Sequence, residues 1–496
     1  MISSWKRSHM ETDGVKKIYL VGIGGIAMGT LATMLKQSGF EVAGSDQNLY
    51  PPMSTHLRAL GIPIFEGFSP QNPQNFAPDL FIMGNVIRRE NPEAQFIMAQ
   101  DRPCLSMPQA ISRLFLPGRK SMVVTGTHGK STTSSLLAWV LERGGKDPGA
   151  FIGALLKDWG RSCRLGSGEY MVLEGDEYDT AFFDKGPKFL HYQPYTAIVT
   201  GIEFDHADIF SGLDAILKAF RDFVRLIPER GHLIINADDP NSMSLASECK
   251  GCVITYGRSH RADWRIKWVD FRPGEVSFQL RNPRTFREET FRSLLPGRHN
   301  VWNITAVIAA ASIAGMSLDG IQEAVLAFNG VKRRQDVIGE FEGILVVDDF
   351  AHHPTSVHET LLGLKLFYPE RRIIAAFEPR SNSSRRNVFQ EHYSNAFSAA
   401  DIICIKQPPA MDSIAEPQRL DAQRLVDDIC KRQKDARFFP TTGELLEFLL
   451  QSARRGDLIV CMSNGSFDGL TGRLAADLGR VHRQTPGANQ SVIERQ

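Results

Sequence analysis

The sequence predicts an α/β protein of three domains, on three observations. The chain has 496 residues, and at roughly 150 residues per domain that is room for about three. Short apolar runs at 18–21, 121–125 and 344–347 each lead straight into a turn and then a helical pattern. Between the second and third, residues 263–291 alternate apolar and polar side chains around Arg272-Pro273-Gly274 and Asn282-Pro283, which reads as antiparallel hairpins. The expected order is a Rossmann-like domain over 17–118, a central P-loop ATPase-type domain with an added antiparallel β segment over 119–330, and a C-terminal Rossmann-like α/β domain over 331–480. The polar ends, 1–16 and 481–496, are expected to be flexible tails.

Composition narrows the class of partner. Hydrophobic residues make up 42% and charged residues 23%, the values of an ordinary globular chain. The 57 basic and 56 acidic residues leave a net charge of +1, so neither a nucleic acid nor a membrane surface is expected as partner. Seven cysteines, an odd and sparse set, fit a reducing compartment. The single CxxC, Cys249 and Cys252, is read as structural rather than as a zinc or redox site. Residues 1–17 lack the apolar core of a signal peptide and no run is long enough to span a bilayer, so a cytoplasmic protein is expected.

The first opening is a strand, then Gly22-Ile23-Gly24-Gly25-Ile26-Ala27-Met28-Gly29, then a helix to about Gln37 closed by Ser38-Gly39. Such a glycine turn lets a backbone approach a diphosphate, and the helix start offers free N–H groups. Asp46, after the second strand, sits where an acid can bond a ribose. Alone this turn also fits a nicotinamide oxidoreductase, a reading that leaves the second opening unexplained.

That second opening is Gly126-Thr127-His128-Gly129-Lys130-Ser131-Thr132-Thr133, between a strand and a helix to about Arg143. Its backbone N–H groups can cradle phosphates, Lys130 can neutralise the β/γ oxygens and Ser131 can ligate Mg²⁺. It is shorter than GxxxxGK[ST], which needs glycine where Val124 stands. The strand 170–173 ends in Glu174-Gly175-Asp176-Glu177, carboxylates placed to hold Mg²⁺ beside the loop. The strand 196–200 leads to Glu203-Phe204-Asp205-His206, where His206 is either a second metal ligand or a loop residue. Further on, His299, Asn300 and Asn303 open an alanine-rich helix; they either read an adenine edge or cap the helix, and spacing favours the cap.

The third opening runs from Val331-Lys332-Arg333-Arg334 to the strand 344–347 and Asp348-Asp349-Phe350-Ala351-His352-His353-Pro354-Thr355. Strands are expected at 372–377, 401–405 and 458–461. Loops after two of them carry Glu378-Pro379-Arg380-Ser381-Asn382 and Ser463-Asn464-Gly465-Ser466, and strand-end loops are where open α/β sheets bind ligands.

With these motifs in this order, residues 17–480 resemble the Mur ligases, ATP-dependent amide-forming enzymes of peptidoglycan precursor synthesis. The segments at 50–55, 177–185, 203–210, 378–382 and 463–465 look more like the branch that adds a recycled tripeptide than the branch that adds L-alanine. The alanine-adding branch usually has serine in place of Tyr178 and another loop in place of 378–382. The resemblance implies that the lactyl carboxylate of UDP-N-acetylmuramate is activated by ATP as an acyl phosphate. The amine of L-alanyl-γ-D-glutamyl-meso-diaminopimelate then attacks it; the alternative donor is L-alanine, in de novo synthesis.

The resemblance also implies roles. Lys130, Glu174 and His206 would be catalytic, with Ser131 and Glu174 on one Mg²⁺ and His206 on a second. Gly126 to Thr132, His299, Asn300, Asn303, Arg334 and Asp349 would bind ATP. Gly22, Gly24, Gly25, Ile26, Ala27, Met28 and Asp46 would hold the UDP-sugar, and Arg380, Ser381, Asn382 and Asn464 the peptide, whose carboxylates need Arg and amide donors. Several family members carry a metal-bridging carbamoylated lysine after the histidine. Here that stretch offers Lys218 and, in the corresponding slot, Arg221, so no carbamate is expected.

Overall fold

The computed structural model describes residues 14–47, 49, 53–207 and 209–481. Most of both expected tails lies outside these residues, as do Tyr50, Pro51 and Pro52 of the 50–55 segment and Asp208. Within the expected N-terminal tail Lys16 is tied down: its backbone N–H donates to Asp79 Oδ2 at 2.8 Å.

The first sheet is all parallel, with Lys17–Val21 at its centre between Glu41–Asp46 and Leu80–Met83. Chain order reverses direction across that central strand, so the two flanking connections leave in opposite directions and open a crevice at its C-terminal end. The turn at Gly22 lies there. Helix Ile26–Gln37 packs Leu31, Met34 and Leu35 into the core and stops at Ser38, with Gly39 left-handed at φ 93°.

The second sheet has ten strands and supplies the scaffold for the central chemistry. Its middle strand, Lys120–Thr125, lies between Thr196–Val199 and Tyr170–Glu174, all parallel. Each is almost wholly buried because helices cover both faces, which is why these strands read as unbroken apolar runs. The C-terminal ends of three adjacent strands therefore present the loops at 126–130, 174–177 and 200–206 side by side. The expected antiparallel segment is present as Trp264–Arg272, Glu275–Arg281 and Glu288–Ser293, continuing this same sheet at one edge. Gly149–Leu156 and Arg161–Arg164 extend the other edge; their mixed burial leaves no regular apolar period in the sequence.

The third sheet has six strands, parallel except for Asp336–Phe341. Ile344–Asp349, Asp457–Met462 and Arg372–Phe377 are neighbours, so the loops at 349–355, 463–466 and 378–382 meet at one end. Apolar clusters lie on both faces of this sheet. The strap into it bends sharply, with Arg333 at φ 61° and Gln335 at φ 47° on either side of Arg334.

Candidate active site

The phosphate-type loop is built as its sequence requires. Gly126 has φ 127°, and a Cβ there would collide with Thr200 Oγ1 and lie 2.9 Å from the Gly201 carbonyl. Gly129, at φ 79°, forms the start of helix Lys130–Arg143, and a Cβ there would come within 2.7 Å of Asn303 Oδ1. The loop is pinned from outside: Thr127 N–H donates to Gly201 O at 2.8 Å, Thr200 Oγ1 donates to His128 O at 2.5 Å, and Thr127 Oγ1 accepts from Glu203 N–H at 2.9 Å. Thr132 and Ser131 are buried in the first helical turn, whose N–H groups have no side-chain cap.

Lys130 Nζ lies 2.9 Å from Glu177 Oε2 and donates to the Gly126 carbonyl at 2.7 Å. Their side chains are only 12% and 3% exposed, so this is a buried ion pair. Burial works against the lysine's charge, but Glu177 and Asp176 outweigh it and raise its proton affinity above the ordinary value. Glu177 is held in its ionised form by Lys130 and His206 against burial. His206, at φ 54°, places Nε2 3.1 Å from Glu177 Oε1 and is the more basic for it, despite burial.

Ser131 Oγ donates to Glu174 Oε1 at 2.7 Å, and the other Glu174 oxygen accepts from Gly153 N–H at 2.7 Å. Burial, then the Asp176 charge, push Glu174 above the usual carboxylate range. Of the three residues expected to hold metal, the structure brings Ser131 and Glu174 into contact, while His206 turns to Glu177. Arg334 crosses from the third domain: its guanidinium stands 3.1 Å from Ser131 Oγ and 4.2 Å over the Phe350 ring. Arg333 points the other way, to the carbonyls of Ser463 and Gly465. Asp349 accepts from the N–H groups of Gln335 and Ala351, both at 2.7 Å, and so braces the strap that carries Arg334.

The cap expected from His299, Asn300 and Asn303 is not formed. Gly297 is the N-cap and receives no side-chain cap bond. Asn300 donates instead to the Pro296 carbonyl and to Gln335 Oε1, and Asn303 donates to Asn300 Oδ1. A chain of amides thus links the strap to Asn303, which sits against Gly129. His299 lies 3.7 Å from Glu359, with Nδ1 otherwise unpartnered.

In the first sheet, Gly22 and Ile23 donate to Ser45 O and Gly24 N–H donates to Asp46 Oδ2 at 2.8 Å. Asp46 therefore shapes the turn itself. Gly25 caps the helix without a side chain, Ile26 is 63% exposed at its mouth, Ala27 is half-buried and the Met28 side chain is in the core. In the third sheet, Arg380 lies across Gly465, where any Cβ would strike it, and is 3.7 Å from the buried Glu378. Ser381 Oγ bonds Ser384 Oγ at 2.9 Å, Asn382 Oδ1 accepts from Arg385 at 2.8 Å, and Asn464 Oδ1 is buried without a partner.

Family models match this architecture segment by segment: "Mur ligase family, catalytic domain" over 17–117, "Mur ligase middle domain" over 124–311 and "Mur ligase, glutamate ligase domain" over 333–465. A relative in Escherichia coli (strain K12), named UDP-N-acetylmuramate–L-alanyl-γ-D-glutamyl-meso-2,6-diaminoheptandioate ligase, is 36% identical over 94% of this chain and 98% of its own. The chain belongs to the Mur ligase family. It is accordingly an ATP-dependent, amide-forming ligase. A UDP-N-acetylmuramate–L-alanine ligase from Syntrophus aciditrophicus (strain SB) is 31% identical over 94% of both chains. The crystal structure of a murein peptide ligase from Psychrobacter arcticus 273-4 superimposes with a TM-score of 0.70 at 33% identity, covering 94% of this chain and 99% of that one.

Two residues of this Mur ligase site escaped sequence reasoning. Glu177 reads in the sequence only as one of the carboxylates of 174–177 placed for Mg²⁺; it lies beyond the strand, which ends at Glu174, and pairs with the lysine instead. Glu203 looked like one loop acid among many. It accepts from Thr355 Oγ1 at 2.8 Å and lies 3.2 Å from His128 Nε2, joining the second and third domains. Burial raises its proton affinity, but the His128 and Thr355 contacts more than offset this and bring it from 4.5 down to about 2. A depressed carboxylate contributes stability above its unfolded value and loses it as pH falls through the folded one. Stability should thus decline between pH 4.5 and about 2, and Glu203→Gln should flatten that decline in urea melts taken across the range. An unchanged slope would show that the contact contributes nothing. Among the described residues, no helix is long and apolar enough to cross a membrane.

Proposed function

We propose that this Mur ligase joins L-alanyl-γ-D-glutamyl-meso-diaminopimelate to UDP-N-acetylmuramate, with ADP and phosphate as products, in peptidoglycan recycling. The carrying observation is the convergence of Lys130, Ser131 and Glu174 with Arg334 from another domain. Four groups suited to a triphosphate and its counter-ion meet where helix Lys130–Arg143 begins. The name of the Escherichia coli relative and the Psychrobacter arcticus structure favour the tripeptide over alanine.

In this reading the uncapped N–H groups of 129–132 and Lys130 receive the terminal phosphate, and Glu177 keeps the lysine charged and aimed until then. The lactyl carboxylate oxygen attacks the γ-phosphorus and ADP leaves. The peptide amine then attacks the acyl carbon, phosphate departs and the amine proton passes to solvent. Arg334 supplies positive charge on the phosphate's far side once the third domain is docked. Gly25 to Ala27, at the start of helix Ile26–Gln37, offer backbone N–H groups to the UDP diphosphate. Arg380 and the unpartnered Asn464 oxygen face the peptide's carboxylates and amides.

Magnesium fits the donors present, since a hydroxyl and a carboxylate are hard oxygens and Glu174 carries uncompensated negative character. Ser131 and Glu174 would hold one ion and His206 a second; bound there, they neutralise repulsion between carboxylate and phosphate. The test is a donor panel of alanine, dipeptide, tripeptide and tetrapeptide, with ATP and UDP-N-acetylmuramate. Phosphate should appear only with all three substrates, and fastest with tripeptide. Turnover with L-alanine and none with tripeptide would make the enzyme the alanine ligase instead.

A further inference from the structure

We propose that His128, Glu203 and His353 form a site for one borderline divalent cation of the Zn²⁺ type, tying the second domain to the third. They come from three places: the phosphate loop, the loop after strand Thr196–Val199, and the residue that caps helix Pro354–Phe367. One ligand atom from each lies within 4.8 Å of the others, and theirs is the group of three such side chains found among the described residues. Glu203 Oε2 is 3.2 Å from His128 Nε2 and 3.6 Å from His353 Nδ1.

The outer ring nitrogens are oriented as in metal sites. His128 Nδ1 is 3.1 Å from Ser356 Oγ and His353 Nε2 is 3.3 Å from the Phe204 carbonyl. A carbonyl only accepts, so His353 carries its proton on Nε2. The lone pair of Nδ1 then faces a carboxylate, with a 3.3 Å contact from Thr355 N–H as its sole donor. Nδ1 and the Glu203 carboxylate face each other at 3.6 Å, and a bound cation would bridge them in exchange for the long Thr355 contact. His353 is lowered to about 4, chiefly by burial, so at neutral pH its ring is uncharged while Glu203 is ionised. Two imidazoles and one carboxylate, with a position left for water, suit Zn²⁺ or Co²⁺; Mg²⁺ prefers oxygen alone. None of Ser131, Glu174 and His206 takes part.

The test uses the full chain without nucleotide, in excess Mg²⁺, titrated with Co²⁺ in the visible range and then with Zn²⁺ by calorimetry. One ion per chain is expected, with nitrogen–oxygen bands and no thiolate charge-transfer band. Glu203→Gln, and His353→Asn, which keeps a capping oxygen for Thr355, should weaken binding by more than the ~10–100-fold typical of outer-shell changes. Glu174→Gln and Cys252→Ser should leave it intact. No bound ion, unchanged affinity in both site variants, loss in Glu174→Gln, or a thiolate band from Cys249 and Cys252 would each overturn the proposal.

Discussion

Lys130→Ala should lower kcat by about 10³-fold or more, because it removes the side-chain cation that the phosphate-binding helix itself carries at its start. Phosphate release with all three substrates measures it. The same change leaves Glu177 ionised and buried with only His206 beside it, which should destabilise the fold by about 3–5 kcal/mol. The two effects separate in the double variant. Lys130→Ala with Glu177→Gln should recover most of the stability in denaturant melts and none of the turnover. Recovered turnover would mean that Lys130 acts only as a counter-ion for Glu177, and the assignment of its role would fall.

Glu174→Gln should cost several kcal/mol of barrier, on the order of 10²–10³-fold in rate, and shift the magnesium requirement upward. Its stability effect should have the opposite sign. Glu174 is held above the ordinary carboxylate value, so the folded chain binds its proton more tightly than the unfolded chain does. The penalty for ionising it appears above its unfolded value and grows until the pH passes the folded one, so it is already present at neutral pH. The glutamine variant should therefore be at least as stable at pH 7 while nearly inactive. Magnesium dependence of the wild-type rate should steepen as pH falls, beginning above the pH at which a free carboxylate titrates. A variant that is both active and unstable would mean Glu174 serves packing.

How much of this was legible in the chain follows from range. The runs at 18–21, 121–125 and 344–347 are buried on both faces and bounded by glycine turns, so strand, loop and helix could be read locally. The strands at Gly149–Leu156 and Arg161–Arg164 carry exposed and buried residues together and gave no period. Among site residues, Lys130, Ser131 and Glu174 were visible because a phosphate loop and a strand-end acid have local signatures. The partnership of Glu203 with Thr355 was not, since 152 residues separate them and only the docking of two sheets brings them together. Asn300 and Asn303 misled for a related reason: a helix start invites a cap, but Gln335 claimed the Asn300 amide and Asn300 in turn that of Asn303.

The strap at 333–335 has an electrostatic consequence. Arg334 is not at the tip of a distant loop; it stands between two left-handed residues in the short segment that enters the third domain. Its guanidinium nevertheless reaches Ser131 of the second domain. The positive charge at the phosphate loop is therefore a property of the docked pair of domains and not of the loop alone.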